Sequence, residues 1–531
     1  MNIPDIVDLI IADNYCKQGD YISGLKKYEE LYLDETNEKK YLIHLFQYAS
    51  YLTENNKYLE ALVQFRKVLN RLEIPDVTYK NIGICLDKIG EYKEAFNFYK
   101  LFLENINYPD ECLILMGDLC ANKLNEKELA IKYYEEAYKY FKQNYNLCNM
   151  LGHLYSTVYR DREKEKQLEY LYKAYELAPN NRIVVKNLSY VLGKFKMAEA
   201  DEMYDRLLHL NPTHSDLHSY GAYLVKTGRF HDGFRFLRHR FQKEDIPEDA
   251  FPPLFKHTEN QWNENIDISD KTMLIYCEQG FGDTIMFSRF IPYIRQMCEE
   301  LYVVVQDSLY ELIQESFPEI HVFSRTQWEE NPLPYSYWIP MMDLPILYGL
   351  TTENIPLSEG YLIVPEEKIK AYKKNINKNK KLKIGFAYEG TESSKETERD
   401  IPAIELQRII DLPNVECYSF QYDDIYNQKE NIHGFIELNN TFNTWEDTAC
   451  AMKNMDLIIT TDNGVMNLAG ALGVKTFGLF NTISEWRWFD TNGKDLKWYK
   501  SITPITCPHD GEWNICIDKV INEINEINEI K

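Results

Sequence analysis

Glycines and carboxylates follow a predicted strand in the second half of the chain. The strand is MLIYC (273–277), and Gly280, Gly282 and Asp283 come directly after it. The two glycines permit a tight turn and let a ligand approach the backbone closely. A carboxylate at the edge of a cleft can take a proton from an attacking hydroxyl, so Asp283 is a candidate general base. The structural alternative is that Asp283 or Thr284 caps the following helix, which contributes about 1 kcal/mol.

A second motif follows the predicted strand DLIITT (456–461). It places Asp462, Asn463 and Gly464 at the expected start of a helix. The first amide groups of a helix have no partner within it and lie at the positive end of its dipole, so we expect a diphosphate to bind there. The small residues 469–471 would let the helix press against the sheet. The alternative is an ordinary strand–turn–helix packing element.

A basic loop follows the predicted strand KIGFAY (383–388). Lys395 and Arg399 lie in this loop, and their charges can neutralise phosphate groups. The second half has no Asp-x-Asp sequence at a strand end, which favours chemistry without a metal ion or other cofactor.

Short apolar strands alternate with helical patterns throughout this half, which indicates parallel sheets that bind ligands at the C-terminal ends of their strands. Further strands are predicted at 301–305, 321–323, 337–340, 417–421, 434–438 and 475–480. Helices are predicted at about 284–298, 402–411, 444–454 and 464–472. A polar linker (366–381) separates two groups of strands. We therefore expect two small Rossmann-like lobes, 271–365 and 381–515, with a cleft between them.

The first half repeats a pattern with a period of about 34 residues. Ala61, Ala95 and Ala130 each precede an aromatic residue by four positions, and most copies carry a glycine in their earlier half. The small residue would let two helices approach closely, and the aromatic ring would fill the gap between successive pairs. The alternative is a plain helical bundle with a coincidental period.

This pattern resembles the tetratricopeptide repeat, in about seven copies over residues 8–242. The resemblance implies an all-α superhelix in which neighbours bury each other and a concave groove holds a peptide or protein. The proline-containing segment 243–270 is predicted to be a connector. The tail, 516–531, has Ile at every third position and is either a short helix packed on the protein or a frayed end.

The composition excludes several classes of partner. The formal net charge is −24, which argues against nucleic acid or an anionic membrane surface as the main partner. Eleven cysteines without a CxxC pair favour a reducing compartment. No segment has the roughly twenty apolar residues of a membrane span, and the N-terminus lacks the basic region of a signal peptide. A cytoplasmic location is expected.

Several phrases of the second half resemble heptosyltransferase-like glycosyltransferases (family 9), which have the two-lobed GT-B fold. The matching phrases are EQGFGDTIMFSRF, IPMMDLP, SFQ, DTACAM, DLIITTDNGVMNLAGALG and WRWF. The resemblance implies an α/β GT-B domain of two Rossmann-like lobes after the repeats. It also implies metal-independent transfer of a sugar from a nucleotide diphosphate to a hydroxyl, with inversion at the anomeric carbon.

Carried onto this chain, the resemblance makes Asp283 the general base and Lys395 a contact of the donor phosphates. The positions implied to bind the donor are Gly280, Gly282, Lys395, Arg399, Ser419, Gln421, Asp462, Asn463, Gly464 and Asn467. The family usually has His where this chain has Asn467, and Thr or Ser where it has Asn463. The loop before Arg399 also differs from the family pattern.

The favoured hypothesis is a glycosyltransferase that modifies a protein acceptor recruited by the repeats. A second hypothesis is a non-catalytic adaptor with a degenerate transferase domain, which Asn467 and the altered loop favour. A third is transfer to a lipid-linked or lipopolysaccharide glycan, which the acidic surface disfavours.

Overall fold

In a computed structural model of the chain, the described residues are 3–30, 35–69, 71, 75–106, 111–242, 253–256, 259–278, 280–390, 399–421, 432–482, 485–488 and 496–530. They divide into two compact units, Met1–Asn180 and Asn181–Lys531.

The first unit consists of helices that pack in consecutive pairs. The helices are α1 (Ile3–Lys17), α2 (Tyr21–Glu29), α3 (Glu35–Glu54), α4 (Tyr58–Val68), α5 (Pro75–Ile89), α6 (Tyr92–Asn105), α7 (Cys112–Asn122), α8 (Lys127–Tyr138), α9 (Tyr145–Val158) and α10 (Lys164–Leu177). Every small-residue and aromatic phrase predicted in this part of the chain lies on the second helix of a pair. The predicted helix–turn–helix repeat is therefore confirmed here.

Glycine and tyrosine set the distance between the helices of a pair. Gly83 of α5 lies against Tyr99 of α6, and a Cβ atom on this glycine would lie 2.6 Å from the tyrosine ring. Gly117 of α7 lies against Tyr134 of α8 in the same way. The aromatic ring thus fills space inside a pair. Tyr28 of α2 also packs against the rings of Tyr41 and His44 of α3, which belongs to the next pair, so an aromatic ring lies between these successive pairs as predicted.

The second unit begins with two more helix pairs. They are α11 (Arg182–Lys194), α12 (Ala200–Leu208), α13 (His214–Lys226) and α14 (Phe230–Leu237), and a 3-10 helix, Arg238–Phe241, follows. Between residues 3 and 237, the described chain therefore contains fourteen helices of the tetratricopeptide type, which agrees with seven predicted copies. Pro179 and Pro212 follow the ends of α10 and α12.

Two parallel sheets follow the helices. The smaller contains β1 (Thr272–Tyr276), β2 (Glu300–Val305), β3 (His321–Ser324) and β4 (Tyr337–Pro340), in the order β3-β2-β1-β4. The larger contains β5 (Leu382–Ala387), β6 (Val415–Ser419), β7 (Ile436–Glu437), β8 (Leu457–Thr461), β9 (Thr476–Phe480) and β10 (Ile502–Thr506), in the order β10-β9-β8-β5-β6-β7. All nine predicted strands are present. The chain thus continues from helical repeats into an α/β region.

Short helices connect the strands. They are α15 (Phe281–Phe287), α16 (Ile291–Arg295), α17 (Tyr310–Ser316), α18 (Arg325–Glu330), α19 (Leu344–Tyr348), α20 (Glu366–Tyr372), α21 (Ala403–Ile410), α22 (Trp445–Met452) and α23 (Gly464–Ala471). The segment predicted as a polar linker contains α20. The last helix, α24 (Trp513–Ile530), buries Cys516, Ile517, Val520 and Ile524 in the core of the larger sheet, so the tail is a packed helix.

Candidate functional site at the strand ends

Each sheet has a point where the strand order reverses. In the smaller sheet this point lies between β1 and β4, and in the larger sheet it lies between β5 and β8. In doubly wound sheets, the crevice outside the carboxyl ends of the strands at such a point is where ligands bind. The residues that follow these strands are Glu278, Asp343, Glu389 and Asp462. The sheet topology therefore identifies two candidate crevices, one in each sheet, and acidic residues follow the strands that border each of them.

The reversal point of the smaller sheet is occupied by Arg240, from the end of the last repeat. Its Nε and Nη2 donate to the two carboxylate oxygens of Glu278 at 2.8 and 2.6 Å, and Nη2 also donates to Asp343 Oδ1 at 2.8 Å. Burial raises the pKa of Glu278, and the Arg240 guanidinium opposes that rise. Arg238 donates to the other oxygen of Asp343. These acids anchor the repeat to the sheet.

The helix after β1 begins earlier than the sequence motif indicated. Gly280 is the N-cap of α15, and Asp283 lies in the first turn. The structural alternative, in which Asp283 or Thr284 caps this helix, was wrong. A Cβ on Gly280 would lie 2.8 Å from Asp283 Oδ2, so this glycine leaves space for the carboxylate.

Gly282 brings α15 into close contact with α23 of the larger sheet. A Cβ at Gly282 would lie 3.0 Å from Asn467 Nδ2 and 3.4 Å from Gly464 Cα. The motifs after β1 and β8 are separated by about 180 residues, and this contact places them side by side.

Asp283 is held by an arginine that the sequence motifs did not single out. Arg487 donates from Nε to Asp283 Oδ1 at 2.6 Å and from Nη2 to Oδ2 at 3.1 Å. Glu485 lies 3.6 Å from the same guanidinium. Burial opposes the charge of Arg487, but Asp283 and Glu485 outweigh it and raise the pKa of this group. The phrase WRWF, with a cation between two tryptophans, was the available signal for this residue.

Asp462 forms the second charged pair of the site. Its carboxylate lies 3.6 Å from Arg399 Nη1, and the Arg399 carbonyl accepts a hydrogen bond from Thr461. Burial raises the pKa of Asp462, and Arg399 opposes this effect. Arg399 therefore lies at the carboxyl end of β8, as a phosphate-binding role would require, but one carboxylate already neutralises part of its charge.

Asn463 caps the start of α23. Its Oδ1 accepts hydrogen bonds from the amides of Val465 and Met466, at 3.0 and 3.2 Å, and its Nδ2 donates to the Glu389 carbonyl. The prediction that the first amides of this helix are unpaired was wrong for these two. The physical reason is the strong N-cap preference of asparagine.

Three other residues that were predicted to bind the nucleotide sugar form hydrogen bonds with other residues of the chain. Asn467 donates to the Asn463 carbonyl and accepts from the Tyr499 hydroxyl. Gln421 accepts from the backbone amides of Tyr388 and Glu389, at 3.0 Å each. Ser419 is buried at the end of β6 and accepts from the Gln421 amide.

Eight of the predicted site residues lie close together in the structure. Gly280, Gly282, Asp283, Arg399, Asp462, Asn463, Gly464 and Asn467 all lie around the contact between α15 and α23. Lys395 lies outside the described residues. In the described ranges, no group of three or more His, Cys, Asp or Glu is arranged to hold a metal ion. No helix within those ranges is both long and apolar enough to cross a membrane.

Comparison with curated sequences identifies a distant relative. No protein-family model matches the chain. Protein FlbA of Caulobacter vibrioides is 23% identical over 331 residues, covering 57% of this chain and 54% of FlbA. The chain thus matches about half the length of this relative.

Solved structures match parts of the chain. YrrB, a tetratricopeptide repeat protein with an unusual peptide-binding site, is 20% identical with a TM-score of 0.31, covering 34% of this chain and 91% of YrrB. The C-terminal part of a repeat protein from Cytophaga hutchinsonii is 17% identical with a TM-score of 0.35, covering 45% and 96%. MamA of Desulfovibrio magneticus is 18% identical with a TM-score of 0.29, covering 32% and 94%.

Proposed function

We propose that the chain is a glycosyltransferase that transfers a sugar from a nucleotide diphosphate to a hydroxyl of a protein acceptor. The observation that supports this most directly is the contact of α15 with α23, which sets Asp283 and Arg487 beside the start of a helix at the carboxyl end of β8. A base, a cation and a helix start are the groups that such a transfer needs.

The reaction proceeds by one displacement. The acceptor oxygen forms a bond to the anomeric carbon while the bond from that carbon to the diphosphate oxygen breaks. The hydroxyl proton goes to Asp283, and the nucleoside diphosphate leaves with the electron pair. Inversion follows from attack on the face opposite the leaving group.

Arg487 has two roles in this proposal. In the structure, both carboxylate oxygens of Asp283 accept hydrogen bonds from Arg487. A carboxylate that is fully occupied by a guanidinium is a poor base, so one of these bonds must be released before the proton transfer. An arriving diphosphate is a stronger attraction for the guanidinium than a single carboxylate. Movement of Arg487 toward the donor would both bind the diphosphate and free Asp283.

The helical repeats supply the acceptor in this proposal. Tetratricopeptide arrays present extended surfaces that bind peptides and proteins. We place the reaction in the cytoplasm, where the eleven buried cysteines would remain reduced. The nucleotide sugar is a substrate, and no further cofactor is needed.

A second candidate is a non-catalytic protein-binding adaptor. The observation that favours it is that residues of the site already bond to one another. Arg487 donates hydrogen bonds to Asp283, and Asn463 accepts hydrogen bonds from two of the helix amides that a diphosphate would use. Under this alternative the charged pairs only join the two sheets.

Turnover of the donor separates the two candidates. The full chain is incubated with a panel of nucleotide sugars and a protein that it binds, and release of nucleoside diphosphate is measured. Asp283→Asn is compared with Asp270→Asn, which removes the same charge from an exposed position outside the site. We expect release with one donor, its loss in Asp283→Asn and its retention in Asp270→Asn.

Two results would reject the transferase. One is that no nucleotide sugar shifts the thermal unfolding of the chain, although the acceptor still binds. The other is unchanged release in Asp283→Asn. Circular dichroism of the variant shows whether a loss reflects unfolding, and Asp283→Glu, which keeps the charge, should retain part of the activity.

A further inference from the structure

A cavity of about 470 Å³ lies between the last two repeats and the loops of the α/β region, within the second unit. Its wall includes Lys196 after α11, Lys226 at the end of α13 and Lys497 before β10. Asp201 is the carboxylate among the lining residues. This volume falls within the range of pockets for small molecules.

The charge of this cavity opposes the charge of the chain. Three lysines from three separate segments converge on it, whereas the chain as a whole carries a net charge of −24. Asp201 does little to balance them, because its Oδ1 accepts hydrogen bonds from Tyr223 and Arg229, at 3.0 and 2.7 Å.

Lys196 lies close enough to Lys226 for its charge to act on that ammonium group. Burial, followed by the nearby charge of Lys196, lowers the pKa of Lys226 to about 8. The carboxylates of Glu485 and Asp510 act in the opposite direction but do not cancel the effect. An anion in the cavity would relieve the repulsion between Lys196 and Lys226.

We propose that this cavity binds a phosphorylated small molecule through Lys196, Lys226 and Lys497. Ammonium groups act as point charges that suit the compact, highly charged phosphate group. The hydroxyls of Thr227 and Thr352 also line the cavity and can contact polar groups of the same ligand. The site does not include Asp283 or Arg487 and does not depend on the glycosyltransferase proposal.

Calorimetric titration of the full chain with inorganic diphosphate tests the site. We expect binding that weakens as salt is added, because the contacts are between charges. The double variant Lys196→Gln/Lys497→Gln should bind roughly tenfold to a hundredfold more weakly. The control, Lys374→Gln/Lys378→Gln, removes the same charge from exposed positions that do not line the cavity and should bind like the unmodified chain.

A third variant separates this site from the start of α23. Arg487→Gln should leave binding in the cavity intact, although it would weaken a diphosphate held beside Asp283. The proposal is overturned if diphosphate does not bind at millimolar concentration, if both lysine double variants bind equally well, or if only Arg487→Gln reduces binding. Circular dichroism confirms that each variant is folded.

Discussion

Replacing Arg240 with Met should strongly destabilise the second unit. The arginine donates two hydrogen bonds to Glu278 and one to Asp343, and all three side chains are at most 8% exposed. The methionine fills similar space but leaves two buried carboxylates without this partner. Breaking a buried ion pair from one side costs about 3–5 kcal/mol. We expect a loss of that size in the free energy of unfolding at neutral pH.

Tryptophan fluorescence during urea unfolding measures this loss selectively. All eight tryptophans lie in the second unit, so their signal does not report the first ten helices. Arg235→Met is the control, because the Arg235–Glu264 pair is largely exposed and should contribute less than about 1 kcal/mol. The double variant Arg240→Met/Glu278→Gln should recover part of the loss, since it removes one buried charge. Equal stability of Arg240→Met and Arg235→Met would refute the reasoning.

Three further predictions concern packing and protonation. Gly83→Ala should destabilise the first unit by about 1–3 kcal/mol, because the new methyl group would collide with Tyr99; circular dichroism during unfolding should show it, and an unchanged midpoint would contradict it. Gly282→Val should separate α15 from α23 and lower the tryptophan-monitored stability by a similar amount, and a neutral effect would contradict the close contact with Asn467. Lys226 has a folded pKa of about 8, below its ordinary 10.5, so the unfolded state binds more protons between these values and stability should rise with pH across that window. Lys226→Met should therefore be more stable than the unmodified chain at pH 7, by up to about 3 kcal/mol, and the difference should vanish above about pH 10.5; a pH-independent difference would refute this.

The repeats and strands were predictable because their signals are local. In most pairs a small residue and an aromatic residue recur at nearly the same spacing, because their helices pack in the same way. Buried parallel strands appear as short apolar runs because both faces of a parallel sheet are covered. The strand Ile502–Thr506 was missed because it contains Pro504, and its position at the edge of the sheet explains why a proline is tolerated there.

The candidate site was only partly predictable. The motifs after β1 and β8 identified Asp283 and the start of α23, because strand ends and helix starts have sequence signatures. The partner of Asp283 could not be found in this way, since Arg487 is 204 residues away and reaches the carboxylate only through the packing of the two sheets. No sequence motif identifies Arg240 either. The capping role of Asn463, in contrast, is consistent with the strong N-cap preference of asparagine.

The mass of a bound acceptor protein tests the central claim most directly. The full chain and its Asp283→Asn variant are each expressed in the native host, and the proteins that co-purify with them are measured intact by mass spectrometry. If the chain transfers sugars through this site, a partner of the unmodified chain carries an added sugar mass that is missing from the same partner of the variant. Identical partner masses in the two preparations would contradict the account.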